Sequence, residues 1–365
     1  MSDKTKISWS EATWNPVTGC TRVSSGCDRC YAVQQTHRIE RMTASLKTRD
    51  GLQWRALKEV GVGEKYHGLT ALNGKGERHF NGVVRCHEDV LEKPLHWRKP
   101  RRIFVNSMSD LFHELVPDEF IYEVLAVTFL CQQHTFQILT KRPERMDDVF
   151  NEPGISGRIS QALCRLRLPP HLAKFGDPNP SDPAPCIVTA IREVQLNLGI
   201  DPNALRKPKS RKWPPSNIWL GTSCEDQETL ERRAVWVMKC PAAVRFLSLE
   251  PLLGPINLRC VLTGVEGGIG ATKHFDVLSG LEVVETPFGR REYKTNKIDW
   301  IVVGGESGPG HRPCKIEWIE SIVKQCRAAG VACFVKQDSG PRPGMQGRIP
   351  DAIWNVKEYP CTSPG

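Results

Sequence analysis

No run of about 18 apolar residues occurs in the sequence, and the residues after Met1 (Ser-Asp-Lys-Thr-Lys) make no signal-peptide pattern. These absences argue against a membrane-spanning helix and predict a soluble, cytoplasmic protein with no membrane partner. There is no early G-x-G-x-x-G, so a dinucleotide fold is disfavoured. No Ser-His-Asp or Cys-His order stands out, and His113, His274 and His311 lack a metal-ligand spacing such as H-E-x-x-H.

Cysteine, by contrast, is plentiful, with fourteen in 365 residues. Most stand alone in apolar strands or helices. Cys131, Cys240, Cys260, Cys326 and Cys333 are expected to be small core residues in a reducing compartment. Three others lie within eleven residues, as Cys20-Thr-Arg-Val-Ser-Ser-Gly-Cys27-Asp-Arg-Cys30, a C-x6-C-x2-C spacing. The intervening Gly, Ser and Thr let a loop fold its sulfurs around one point, and residues 33–46 read as a helix whose positive end lies beside them. Zinc and iron–sulfur sites usually take four ligands, and the next cysteine is Cys86. Three readings follow: ordinary buried thiols, a structural zinc site completed by His37, or an iron–sulfur cluster with one iron left open. The last is the reading adopted.

A short apolar strand, polar residues at its carboxyl end and an amphipathic helix recur along the chain. The predicted strands are 82–89, 102–110, 135–141, 217–225, 244–250, 299–306 and 331–337, with helices over 118–132, 227–238 and 317–329. Seven such strands, plus one near the cysteines, predict an α/β fold of (β/α)8 type or a partial TIM barrel. An open doubly wound sheet is the alternative. Asp110, Lys141, Glu225, Glu250, Glu306 and Lys336 end the strands, and in a barrel these ends share one mouth. Two excursions interrupt the rhythm. Residues 150–215 are rich in proline and basic residues, with a helix near 156–168, and residues 262–297 read as a β-hairpin. The chain is therefore divided as 1–149 (first barrel half with the cysteine loop), 150–215 (insertion), 216–261 (barrel), 262–297 (insertion), 298–340 (last strands) and 341–365 (a tail wrapped over the surface).

Net charge is +9, and two basic runs, 92–102 and 206–213, each carry a tryptophan. Such runs suit phosphates with an indole stacked on a base, or a solvated loop whose tryptophan covers a strand end. Asn106, Ser107 and Asp110 suit hydrogen bonding to a ligand at the mouth; an N-cap and turn would explain the polar residues there equally well. Gly304-Gly305-Glu306 opens a glycine-rich loop that suits an anion or a tight turn, although it is not a P-loop. Lys141 and Lys336 must reach the mouth or pair with a carboxylate, for which Glu250 is a candidate.

The cysteine segment, Cys30-Tyr-Ala and the barrel rhythm resemble radical S-adenosylmethionine (SAM) proteins. They also resemble a phage-type family of unassigned function with an N-terminal three-cysteine motif. Its shared stretches appear here at 14–20, 26–32, 139–146, 217–223, 248–255, 304–310 and 334–337. Cys30-Tyr-Ala and Thr140-Lys141 are similar to the spore photoproduct lyase group. The usual cysteine spacing is C-x3-C-x2-C with an aromatic residue before the last cysteine, where this chain has a gap of six and Arg29. Gly304-Gly-Glu306 resembles the element that binds the methionine part of SAM, although it comes later in the chain than that element does.

The resemblance implies a [4Fe–4S] cluster on Cys20, Cys27 and Cys30, with SAM on its open iron. Asn106, Ser107, Asp110, Gly304, Gly305 and Glu306 would contact the cofactor, and Lys141, Glu250 and Lys336 would serve the reaction. It further implies DNA, RNA or a nucleotide as substrate, a reductant protein as partner, and the cytoplasm of a bacterium or phage-infected host. The rival reading is a nucleic-acid-binding protein with a structural metal and no catalysis. A phosphate-binding barrel enzyme without redox chemistry is a third.

Overall fold

The computed structural model describes residues 5, 7–49, 62–166, 215–266 and 271–361. Seven strands form one parallel sheet: β1 (Ala12–Trp14), β2 (Arg102–Val105), β3 (Thr135–Thr140), β4 (Ile218–Ser223), β5 (Val244–Leu249), β6 (Trp300–Gly304) and β7 (Ala332–Gln337). Their spatial order follows their sequence order without a reversal, and the sheet curls into a half-barrel. A doubly wound sheet would reverse direction at a switch point, so that alternative is excluded. The strand expected near the cysteines is β1, but the one expected over 82–89 does not join this sheet. Within 82–89 only Arg85–Cys86 is extended, and it pairs antiparallel with Val17–Thr18 outside the main sheet. Gly82 (φ +91°) and the 3₁₀ turn Glu88–Val90 bracket it and leave no room for a longer strand.

Helices Asp118–Leu130, Pro143–Phe150, Ile155–Arg165, Gln227–Lys239 and Ile316–Ala329 cover one face. The main core lies between them and the sheet, built from residues such as Ile103, Val105, Ile138, Leu220, Leu247 and Ile301. Side chains alternate along a strand, so the intervening residues line the helix-free face. Phe104, Trp219, Phe246, Trp300 and Phe334 gather there with Trp9. Continuing the alternation toward the carboxyl ends gives Gly221, Ser223 and Ser248, then Lys141, Glu225, Glu250 and Lys336. The half-barrel thus has an aromatic floor and a charged rim.

The segment after 341 is more than a surface wrap. Val335 N–H donates to Val356 O (2.9 Å) and Glu358 N–H to Cys333 O (2.9 Å), so the tail covers the open edge of β7. Trp300 Nε1 donates to Glu358 O (2.9 Å), the Tyr359 ring stacks on Trp300 (5.4 Å), and the Arg102 guanidinium lies 4.2 Å over Tyr359. The tail therefore crosses the floor and joins β6 and β7 to β2. Residues 262–297 are a four-stranded antiparallel sheet (Val261–Glu266, Ala271–Asp276, Leu281–Thr286 and Gly289–Lys294) in place of a single hairpin. Cys131, Cys240, Cys326 and Cys333 are buried free thiols as expected; Cys260 is exposed, contrary to expectation. No helix of the described residues is long and apolar enough to cross a membrane.

The Tyr359→Ala change, which removes the stack and the cation–π contact, is expected to cost about 2 kcal/mol, read as a lower urea midpoint. An unchanged midpoint would mean that the tail does not hold the floor. The short ribbon makes a pH prediction. Thr18 Oγ1 donates to Lys65 O (2.8 Å) and so accepts from His87 Nε2 (2.8 Å). Burial first, then Lys65, lower His87 from 6.5 to about 4. The unfolded chain therefore takes up this proton first, and the contribution to stability is present above pH 6.5 and lost as pH falls toward 4. In His87→Gln, thermal midpoints should fall less over that interval than in the wild type.

Candidate functional site at the carboxyl ends of the strands

The cysteine loop is pinned across the mouth of the half-barrel. It leaves β1 through Asn15 and turns at Gly19 (φ +86°), where a Cβ would come within 1.9 Å of Val83 O. Gly19 bridges Ser109, in the loop after β2. Thr21 Oγ1 lies 3.0 Å from His113 Nε2 and accepts from Arg142 Nη2 (2.5 Å), after β3. Ser24 Oγ donates to Glu225 Oε1 (2.8 Å), after β4. Arg312 Nη1 donates to Ser25 O (3.0 Å), after β6. Cys30 then opens the helix Tyr31–Arg49.

All three cysteines are half-buried, and their thiols sense one another's charge. Burial pushes Cys20 up to about 12; Asp110, Cys30 and Cys27 add to the rise and Arg142 opposes it. Burial and Cys27 also raise Cys30, against the backbone N–H groups of Ala32 and Val33 and the charge of Lys141. Among the described residues, no three His, Cys, Asp or Glu side chains converge as ligands of a single ion. His37 Nδ1 lies 3.9 Å from Glu40 on its own helix. Three thiols on one loop are the donor type that zinc and iron–sulfur centres both take.

The rim carboxylates are each held by a cation. Glu225 has no exposed surface; its oxygens meet Lys141 Nζ (2.8 Å) and Arg233 Nη1 (3.1 Å). Burial would raise its pKa, but Lys141 and Arg233 hold it below the ordinary carboxylate range. Burial likewise works against the Lys141 ammonium, while Glu225 and Cys27 keep it above its usual value. Gly26 packs on this carboxylate so closely that a Cβ would fall 2.2 Å from Glu225 Oε1. Lys336 Nζ pairs with Glu250 (2.6 and 2.7 Å), and Gln337 Nε2 donates to the same carboxylate (3.0 Å). Glu250 is thus the partner of Lys336, and Glu225 that of Lys141.

Asp110 accepts from Phe112 N, Thr140 Oγ1, Lys141 N and Arg142 Nη1 (2.7–3.2 Å), so its oxygens staple the β2 loop to the end of β3. Asn106 has a left-handed backbone (φ 57°); its Oδ1 accepts from Val17 N (3.2 Å), and its buried Nδ2 has no partner among the described residues. Ser107 Oγ donates to Asn15 Oδ1 (3.1 Å). Gly304 and Gly305 face the end of β7: a Cβ on Gly305 would stand 2.3 Å from Ser339 N. The close approach these glycines allow is thus that of the neighbouring backbone. Glu306 Oε2 accepts from Arg312 N (2.8 Å) and Nε (3.0 Å).

Arg142, Arg233 and Arg312 carry much of this site; in the sequence Arg142 ends an apolar strand and Arg312 follows the glycine-rich loop, whereas Arg233 lies inside a helix. The Arg-Pro step that opens a helix directly after β3 marks Arg142; nothing in the spacing marks Arg233. The basic run 92–102 leads into the amino end of β2, opposite the cysteines. Its Trp97 packs on the core beside His134 (6.1 Å), with Arg101 over its ring, so the indole covers a strand end. The run 206–213 and most of the 150–215 excursion lie outside the described residues.

Fold and site define an α/β protein with a singly wound half-barrel whose mouth carries a three-cysteine loop. The chain matches the family described as "Protein of unknown function (DUF5131)" over residues 4–348 and belongs to it. No curated protein and no solved structure matches the chain.

Glu225→Gln leaves Lys141 and Arg233 buried beside a neutral amide, so a loss of about 3 kcal/mol is expected in chemical denaturation. A wild-type midpoint would show that the charge triad does not hold the loop.

Proposed function

We propose that this protein is a radical SAM-type iron–sulfur enzyme that repairs or modifies a nucleic acid or nucleotide. The observation that carries the reading is the loop of Cys20, Cys27 and Cys30, fastened across the strand ends by contacts after β2, β3, β4 and β6. In this reading the three thiolates hold a [4Fe–4S] cluster. Together with SAM and one electron from a reductant protein, such a cluster would supply the cleavage of SAM to methionine and a radical able to take hydrogen from the substrate.

The chain's own residues have definable tasks. The backbone N–H groups of Ala32 and Val33 and the charge of Lys141 at Cys30, and the guanidinium of Arg142 at Cys20, oppose without overcoming the rise that burial imposes on these thiols. The aromatic floor keeps water from the helix-free face, which matters for any reactive intermediate. The rim offers both charge signs to a zwitterionic amino-acid group, with Lys336 and Glu250 held side by side. Asn106 Nδ2, buried and without a partner among the described residues, is a free donor at the β2 end. The +9 net charge favours a polyanionic partner. Because the 92–102 run faces the other end, the polyanion contact falls to other basic residues.

Anaerobic reconstitution with iron and sulfide should give about four irons per chain, against well under one in Cys27→Ala. Reduction with SAM present should then release 5′-deoxyadenosine. An intact cluster without SAM cleavage would sink the enzyme reading, and zinc without iron would favour a structural metal in a binding protein.

A further inference from the structure

We infer that Arg142 is a positioning residue that tunes the electron affinity of the centre on the cysteine loop, an inference that rests on the iron–sulfur reading above. Its Nη1 lies 3.8 Å from Cys20 Sγ, within reach of an N–H···S hydrogen bond. The same nitrogen donates to Asp110 Oδ2 (3.2 Å), Nη2 to Thr21 Oγ1 (2.5 Å) and Nε to Glu114 Oε2 (2.9 Å). Its main-chain N–H is tied to Thr140 Oγ1 (2.8 Å), and the side chain is 13% exposed. The guanidinium is therefore fixed in place, and it stays charged at any working pH.

A cation donating to a ligand sulfur draws charge from it and favours the form that holds one more electron. Lys141, the next cation, is committed to Glu225 and acts on Cys27 and Cys30 through space. Among the described residues, Arg142 is the side chain whose hydrogen bond reaches a sulfur of the cysteine loop. Its removal has two effects of one sign. The cation is lost, and the Asp110 carboxylate next to Cys20 loses its counter-charge. Both make the added electron less welcome.

The test compares wild type, Arg142→Gln and Arg142→Lys after anaerobic reconstitution with ferrous iron and sulfide. Iron is counted, and dithionite, a one-electron donor, is titrated while the electron paramagnetic resonance signal is followed. At equal iron content, Arg142→Gln should show about a tenfold lower reduced-to-oxidised ratio at a fixed potential, a midpoint about 59 mV more negative. Arg142→Lys keeps the charge without the fork and should lie between. It decides the matter if Arg142→Gln does not fold. An iron-loaded variant with the wild-type midpoint overturns the inference. So does a folded variant that takes up no iron, which would make Arg142 an assembly residue instead. A wild type without iron sinks the iron–sulfur reading itself, and this inference with it.

Discussion

A carboxylate with no contact with water sits under the cysteine loop, and the rest of the mouth is arranged around keeping it charged. Glu225 ends β4, takes Lys141 from β3 and Arg233 from the following helix, and uses its remaining capacity on Ser24 of the loop. Burying an unpaired carboxylate is costly enough that the three partners cannot be varied independently. Gly26 follows from the same constraint, because the carboxylate occupies the space a side chain would need. One buried group thus sets the height and tilt of the segment carrying Cys27.

The other rim carboxylates repeat the arrangement on a smaller scale. Asp110 with Arg142, Glu250 with Lys336, Glu306 with Arg312 and Asp338 with Arg348 each join a strand end to a neighbouring segment. Charge neutralisation is therefore local, strand by strand, and the loop docks on a surface already rigid. Two of these cations, Arg142 and Arg312, also reach the loop itself. The cysteines are held by the same side chains that hold the sheet's polar edge together.

Much of this was legible in the sequence. Apolar runs ending in charge placed six of the seven strands within a residue or a few, and the helices over 118–130, 227–239 and 316–329 followed from their amphipathic spacing. The 82–89 segment misled because alternating apolar and polar residues at Val83–His87 imitate a strand whose neighbours are turns. Glu250 was legible as a lysine partner and is that of Lys336, whereas Glu225 as the partner of Lys141 was not. Which lysine meets which glutamate depends on strand register, and a sequence shows only that a buried lysine needs one. Arg233 was invisible for a similar reason: its target lies one element away, and helix periodicity alone leaves it on a mixed face. The tail was misread because its contribution is made by single side chains, Tyr359 above all, with no repeating pattern.

The route by which the tail closes the floor has a consequence for how the chain is made. Tyr359 meets Arg102 and Trp300, and Trp9 meets Phe104 and Trp300, so early and late segments complete the same apolar layer. During synthesis from the amino terminus, β1 to β4 emerge long before the aromatic ring that will cover them. A nascent half-sheet therefore displays indole and phenyl rings to solvent until residues 355–359 have left the ribosome. Chaperone occupancy should track that interval.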